Sequence, residues 1–291
     1  SPSAINEYMR CQLLFFYNRV AKIKAPQKQA VIIEPNVLGS VFHKTAELFY
    51  LDFVEHGNPV ITPARLAPFL EPAADASLVF YVRRAMAEEQ VGENVLVEQI
   101  VKSFFKQLLR NDSKLETFKI KGLETPRALT FNVLVNGAVR QVELCGIIDR
   151  MDIVSDPTIN DGAETLRIVD YKTNGSMEQA LSMDALFTPG EKHPHYVLQT
   201  FLYALMVAPD VNNMPLMPTL FFVNKYGDKN FLPYIKYANE PLTDFAPLAQ
   251  DFKFRLEKLL SEMLDEATPF KPTSVLQRCE NCNYRLLCYG K

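Results

Sequence analysis

The chain has 291 residues, 48% of them apolar, with 31 basic and 34 acidic side chains and a net charge of −3. That apolar share supports a sizeable core, and the length allows one large domain or two ordinary ones. The slightly acidic balance excludes a protein that coats nucleic acid through global basicity, although a local basic groove remains open. No apolar run reaches the ~18 residues that would mark a membrane helix.

The first segment, Ser3 to about Val20, reads as a helix with Ser3 as its N-cap and Ile5, Tyr8, Gln12/Leu13 and Phe16 as its stripe. Val37 to His56 reads as a second helix, stopped by Gly57-Asn58-Pro59. From Pro63 to about Leu115 the pattern is helical throughout, with Pro72 starting one helix and Asn94 capping another. Val97, Ile100, Val101, Phe104, Phe105 and Leu108 form its core face. Residues 57–115 are therefore expected to be a helical insertion.

The character then changes. Leu129 to Val135, Val142 to Val154 and Leu166 to Tyr171 are β-branched and apolar, and Asn136-Gly137 between the first two is a hairpin signal. Asp156 to Glu164 is a loop, and Ser176 to Pro194 is expected to be irregular. Tyr196 to Val207 reads as a helix, Leu216 to Asn224 and Phe231 to Tyr237 as strands, and Thr243 to Glu266 as a long amphipathic helix. The order predicts an α/β fold with a central mixed β-sheet flanked by helices.

Five cysteines without a secretory context predict a reducing, cytoplasmic setting. Cys145, inside an apolar strand-like run, reads as a small core residue. Cys279, Cys282 and Cys288 form a C-x2-C-x5-C run, and Cys11 stands alone near the other end. Thiolates so spaced are a metal signature, and Cys11 would complete a four-ligand set that joins the two termini.

Asp149 and Asp170 lie at the ends of neighbouring expected strands, and Asp170 and Lys172 share a strand face. Two carboxylates with a main-chain carbonyl, that of Tyr171, suit a hard divalent cation, and the lysine suits a developing negative charge. Taken alone, Asp170-x-Lys172 also reads as a surface ion pair. His43 and Glu47 share a helix face, as do Gln199 and Tyr203. A lone His43 also reads as a hydrogen-bonded core histidine.

In combination these residues resemble the PD-(D/E)XK nuclease superfamily, in its RecB-like branch. G-x-x-x-H-x-x-x-E runs from Gly39 to Glu47, G-x-I-D-R from Gly146 to Arg150, D-Y-K-T from Asp170 to Thr173, and Q-x-x-x-Y from Gln199 to Tyr203. The glycine that often follows D-Y-K-T is displaced to Gly175. The four cysteines narrow the resemblance to the iron-staple nuclease domains of AddB-type subunits of helicase–nucleases.

The resemblance implies a restriction-endonuclease-like core forming a single nuclease domain over residues 1–291, excised from the C-terminus of a longer protein. It implies Mg²⁺ or Mn²⁺ held by His43, Asp149, Asp170 and the Tyr171 carbonyl. Lys172 would be catalytic, Glu47 would orient His43, and Gln199 and Tyr203 would help form the site and meet DNA. It further implies a 4Fe–4S cluster on Cys11, Cys279, Cys282 and Cys288, with zinc as the competing occupant. Arg150, Lys192 and Lys225 are the expected phosphate contacts. The implied activity is hydrolysis of DNA, by an exonuclease acting on single-stranded ends during double-strand-break repair and recombination beside a helicase partner. A catalytically inactive DNA-binding module and a metal-site interaction domain are the alternatives.

Overall fold

The computed structural model describes residues 1–24, 35–56, 58–225 and 234–289, without the side chains of residues 35, 225 and 289. The expected helix stop at Gly57 and the first three residues of the expected strand 231–237 lie outside the described residues.

The chain opens with helix α1 (Pro2–Arg10) and a short helix α2 (Gln12–Phe15) that runs on as one wide π turn, Phe16–Val20. Cys11, extended at φ −168°, breaks the expected single helix in two. Helix α3 (Pro35–Glu55) follows, then a two-residue strand β1 (Val60–Ile61). Three helices come next: α4 (Pro63–Leu70), α5 (Asp75–Glu88) and α6 (Val95–Asp112). Asn94 caps α6 as expected, its side chain accepting from the N–H groups of Leu96 and Val97. Val97, Val101, Phe105 and Leu108 are buried, whereas Ile100 and Phe104 are only partly covered.

Strands β2 (Thr117–Val135) and β3 (Ala138–Ser155) form a long antiparallel hairpin. Its turn is Asn136-Gly137, with φ of +49° and +80°, the left-handed pair that a two-residue hairpin turn needs. Strand β2 begins twelve residues before its expected start at Leu129. Gly122, Glu124 and Pro126 disguise it, because they sit at a register shift between Ile120 and Gly122 and a left-handed residue, Glu124 at +41°. Pro126 is tolerated because β1 pairs with Phe118 and Lys119, so among the described residues no strand pairs with that flank of β2 at Pro126.

Strand β4 (Thr165–Lys172) is antiparallel to β3, and β6 (Leu216–Phe222) runs parallel to β4. Helix α8 (His195–Val207) makes the crossover between them. The stretch expected to be irregular holds β5 (Gln179–Ala180) and helix α7 (Met183–Phe187), the latter capped by Ser182. Strand β5 joins β7 (Lys236–Tyr237) and β8 (Glu240–Pro241) in a small second sheet. Helix α9 (Ala246–Leu264) and two short helices, α10 (Gln277–Glu280) and α11 (Arg285–Tyr289), close the chain.

The main sheet, in order β1-β2-β3-β4-β6, is covered on both faces. One apolar cluster joins it to α1, α8 and α9, and the other to α3, α5 and α6. This is a mixed α/β fold consistent with a restriction-endonuclease-like core. Along β4, Ile168 enters the first cluster while Val169 and Tyr171 enter the second. Strand alternation therefore puts Asp170 and Lys172 on the Ile168 face, under α8. No helix among the described residues is long and apolar enough to cross a membrane.

Candidate active site

Asp149 from β3 and Asp170 from β4 are buried side by side at the end of the strand pair. The Tyr171 N–H donates to Asp149 Oδ2 at 2.7 Å, and Lys172 Nζ lies 2.5 Å from Asp170 Oδ2. From α3, His43 Nδ1 approaches Asp149 Oδ1 at 3.4 Å. From α8, Gln199 Nε2 donates to Asp170 Oδ1 at 3.2 Å and to the Tyr203 hydroxyl at 3.1 Å. Residues from four separate sequence motifs thus share one small volume. Gly146 belongs to the same assembly. A Cβ there would sit 2.7 Å from Cε1 of Tyr203, so only glycine lets α8 lie this close to β3.

Glu124 is the residue that sequence reasoning missed. One carboxylate oxygen of Glu124, one of Asp149 and one ring nitrogen of His43 all lie within 4.8 Å of one another, a possible metal-binding group. Glu124 faces inward because its backbone is left-handed at a ladder irregularity. Two or three carboxylates with one imidazole form an oxygen-rich set that fits a hard or borderline divalent cation such as Mg²⁺ or Mn²⁺.

The electrostatics describe a site short of positive charge. Burial pulls the His43 imidazolium down, but Asp149, with Asp170 and Glu124 behind it, outweighs this and holds the ring up at about 9. Burial pushes the Glu124 carboxyl up to about 7, and the Asp149 charge adds to the push. Asp170 is also raised, by burial first and by Asp149, against the pull of Lys172. Asp149 itself is lowered, because His43, Lys172 and the Tyr171 N–H together overcome its burial. Lys172 stays charged above its ordinary value, burial being outweighed by Asp170 and Asp149. A bound divalent cation would relieve this crowding of carboxylates.

Several expected residues are placed differently. Arg150, expected to meet DNA phosphate, is 0% exposed. Its guanidinium donates to both oxygens of Asp112, at 2.7 and 3.1 Å, and its Nε lies 2.9 Å from Asp152. Arg167 completes this buried group with two bonds of 2.8 Å to Asp152. The arginine of the G-x-I-D-R motif thus holds the sheet to α6 and cannot reach a phosphate. Glu47 is held by Lys44 at 2.9 Å, and no hydrogen bond links it to His43 among the described residues. Lys192 is exposed beside α8 in a groove that also borders Gln199. The Lys225 side chain lies outside the described residues. Cys145 is exposed on β3 rather than buried, because its neighbour Leu144 takes the inward position.

Among the described residues no disulfide joins Cys11, Cys279, Cys282 and Cys288, and all four line one cavity of about 160 Å³. No three of these thiols approach within 4.8 Å of one another among the described residues. The surrounding protein already ties the two ends of the chain together. Tyr284 donates to Asn18 at 2.6 Å and stacks near Tyr17 at 5.2 Å. Lys271 N–H donates to Gln12 at 2.9 Å, and Arg278 reaches the carbonyl of Arg10 at 3.2 Å.

A sequence model of the PD-(D/E)XK nuclease superfamily matches residues 1–289, and the chain belongs to that superfamily. Its members are as a rule nucleases that use divalent metals. No curated protein matches the chain.

Proposed function

We propose that this protein is a Mg²⁺- or Mn²⁺-dependent deoxyribonuclease, an exonuclease acting on single-stranded DNA ends. It would serve in double-strand-break repair and recombination as the nuclease domain, residues 1–291, of a longer helicase–nuclease. The observation that carries the reading is the convergence of His43, Glu124, Asp149, Asp170 and Lys172 at one end of the β3–β4 pair. A silent DNA-binding module would have no use for a charged lysine held against a buried aspartate beside such a group.

His43, Glu124, Asp149, Asp170 and the Tyr171 carbonyl are the proposed metal ligands. When bound, the cation polarises the phosphate and makes water a better nucleophile at neutral pH. The protein residues do the rest. Gln199, steadied by Tyr203, fixes the Asp170 carboxylate. Lys172, charged and aligned by Asp170, orients the attacking water and balances the negative charge that grows on the phosphate oxygens. His43 and Asp149 orient each other, and the Tyr171 N–H holds the far oxygen of Asp149.

The four cysteines are proposed to hold a 4Fe–4S cluster as a structural clasp. Their shared cavity supports this, and so does their spread. A single tetrahedral zinc at ~2.3 Å from each sulfur would draw the thiolates to ~3.8 Å apart. A cluster with a different iron for each thiolate holds them wider.

The test is cleavage of end-labelled single-stranded and duplex DNA with Mg²⁺, Mn²⁺ or EDTA, with Lys172→Ala beside the parent. Cutting that needs the metal and vanishes in the variant is expected. A variant that folds and still cuts would remove the core of the proposal.

A further inference from the structure

A groove of about 800 Å³ starts at Gln199, which holds Asp170, and runs to Arg10, Lys192 and Arg278. These three cations come from α1, from the segment before α8, and from α10. No carboxylate lies within ion-pairing distance of any of them among the described residues. Among the described residues Arg278 donates to main-chain carbonyls alone, those of Arg10 at 3.2 Å, Gly190 at 2.6 Å and Glu191 at 3.5 Å. Carbonyls anchor the guanidinium without cancelling its charge. Two carboxylates of the groove are already engaged, Glu7 by Arg19 at 2.8 Å and Glu178 by His195 at 2.7 Å. Glu191 is the remaining one.

Arg278 is held below its ordinary value, by burial and then by Arg10. Buried His193, whose Nε2 faces the Leu186 carbonyl at 2.8 Å, is also lowered, with His195 and Arg278 adding to its burial. At the start of α8 stands an aromatic pair, of which His195 lines the groove and Tyr196 lies beside Lys172. The His195 and Tyr196 rings lie 4.0 Å apart at 39°, and Tyr196 also faces Lys172 Nζ at 5.3 Å. Unneutralised cations along a groove with rings beside it are what a single nucleic-acid strand needs, phosphates on the former and unstacked bases on the latter.

We propose that this groove binds one nucleic-acid strand, its phosphates on Arg10, Lys192 and Arg278 and a base on the His195–Tyr196 pair, and leads it to Asp170 and Lys172. This rests on the nuclease reading and names where its substrate lies. A paired base keeps its stacking partners and cannot use the rings, so the groove favours a single strand over a closed duplex.

The experiment is binding of a fluorescent oligothymidylate in Ca²⁺ over a series of salt concentrations, with Arg10→Glu/Lys192→Glu beside the parent. Both side chains are exposed, and thermal melting checks that the variant folds. The expected result is a Kd raised about tenfold or more. The slope of log Kd against log salt should fall by about 1.4, since each phosphate contact to a single strand contributes ~0.7. Unchanged Kd and slope would overturn the groove. Equal affinity of the parent for a closed-end duplex would overturn the single-strand assignment. Cleavage by the parent in Mg²⁺ is read on the same oligonucleotide. Binding that responds to the variant without any cleavage would defeat the nuclease reading and leave the groove standing.

Discussion

Arg150→Ala distinguishes a structural arginine from a DNA-binding one. In the fold, Arg150 is enclosed between Asp112 and Asp152 and lies over the rings of Tyr50 and Phe118, at 4.9 and 5.2 Å from their centroids. Asp152 would keep its two bonds from Arg167. Asp112 would keep only the Tyr50 hydroxyl and a 3.9 Å approach from Arg167. The loss therefore falls on one buried, nearly unpaired carboxylate, and breaking such a pair costs about 3–5 kcal/mol. For a domain of this size that is about 5–8 °C in melting temperature. Urea unfolding followed by circular dichroism measures it. Arg150→Met with Asp112→Leu should recover most of the stability, because it removes both charges together. An Arg150→Ala protein of parental stability that binds DNA less tightly would refute the burial argument and restore the arginine to the surface.

The pH response of the metal-free protein has a definite sign. His43 is raised from 6.5 to about 9 and Glu124 from 4.5 to about 7, so each contributes stability that is full below its unfolded value and lost as pH rises through its folded one. Stability without metal should fall by a few kcal/mol between about pH 5 and 9 and be restored by Mn²⁺, and a flat urea-midpoint profile would contradict this. Metal binding at pH 7 should release about 1.5 protons, one from His43 and half from Glu124, seen as buffer-dependent heats in titration calorimetry. Glu124→Gln should weaken metal binding about 10-fold or more without unfolding the protein, whereas unchanged affinity would remove Glu124 from the site. Gly146→Ala should cost about 1–3 kcal/mol through its clash with Tyr203, so a neutral result in thermal melting would show that α8 can shift.

The meander and its turn were legible because their signals are local: β-branched runs, an Asn-Gly pair, and a helix cap at Asn94. So were the same-face pairs Asp170–Lys172 and Gln199–Tyr203, from their spacing, while their gathering with His43 and Asp149 followed from the family resemblance. Glu124 was not legible. Its inward direction depends on a left-handed residue at a ladder irregularity, which no neighbouring residue type announces. The start of β2 was hidden for the same reason, since Gly122 and Pro126 read as breakers until an unpaired flank accommodates them.

The sequence by itself determined most of the element types, the expectation of carboxylates beside a lysine, and the superfamily. Side-chain periodicity and residue chemistry act over a few positions, and a match over residues 1–289 carries the rest. Only the tertiary structure decided which charges are sealed inside and which stand in an open groove. Arg150 and Lys192 look alike in the chain, yet one is sealed between two aspartates and the other stands in an open groove. Burial is a property of what packs across from a residue, and for Arg150 that is Asp112, 38 residues away in sequence.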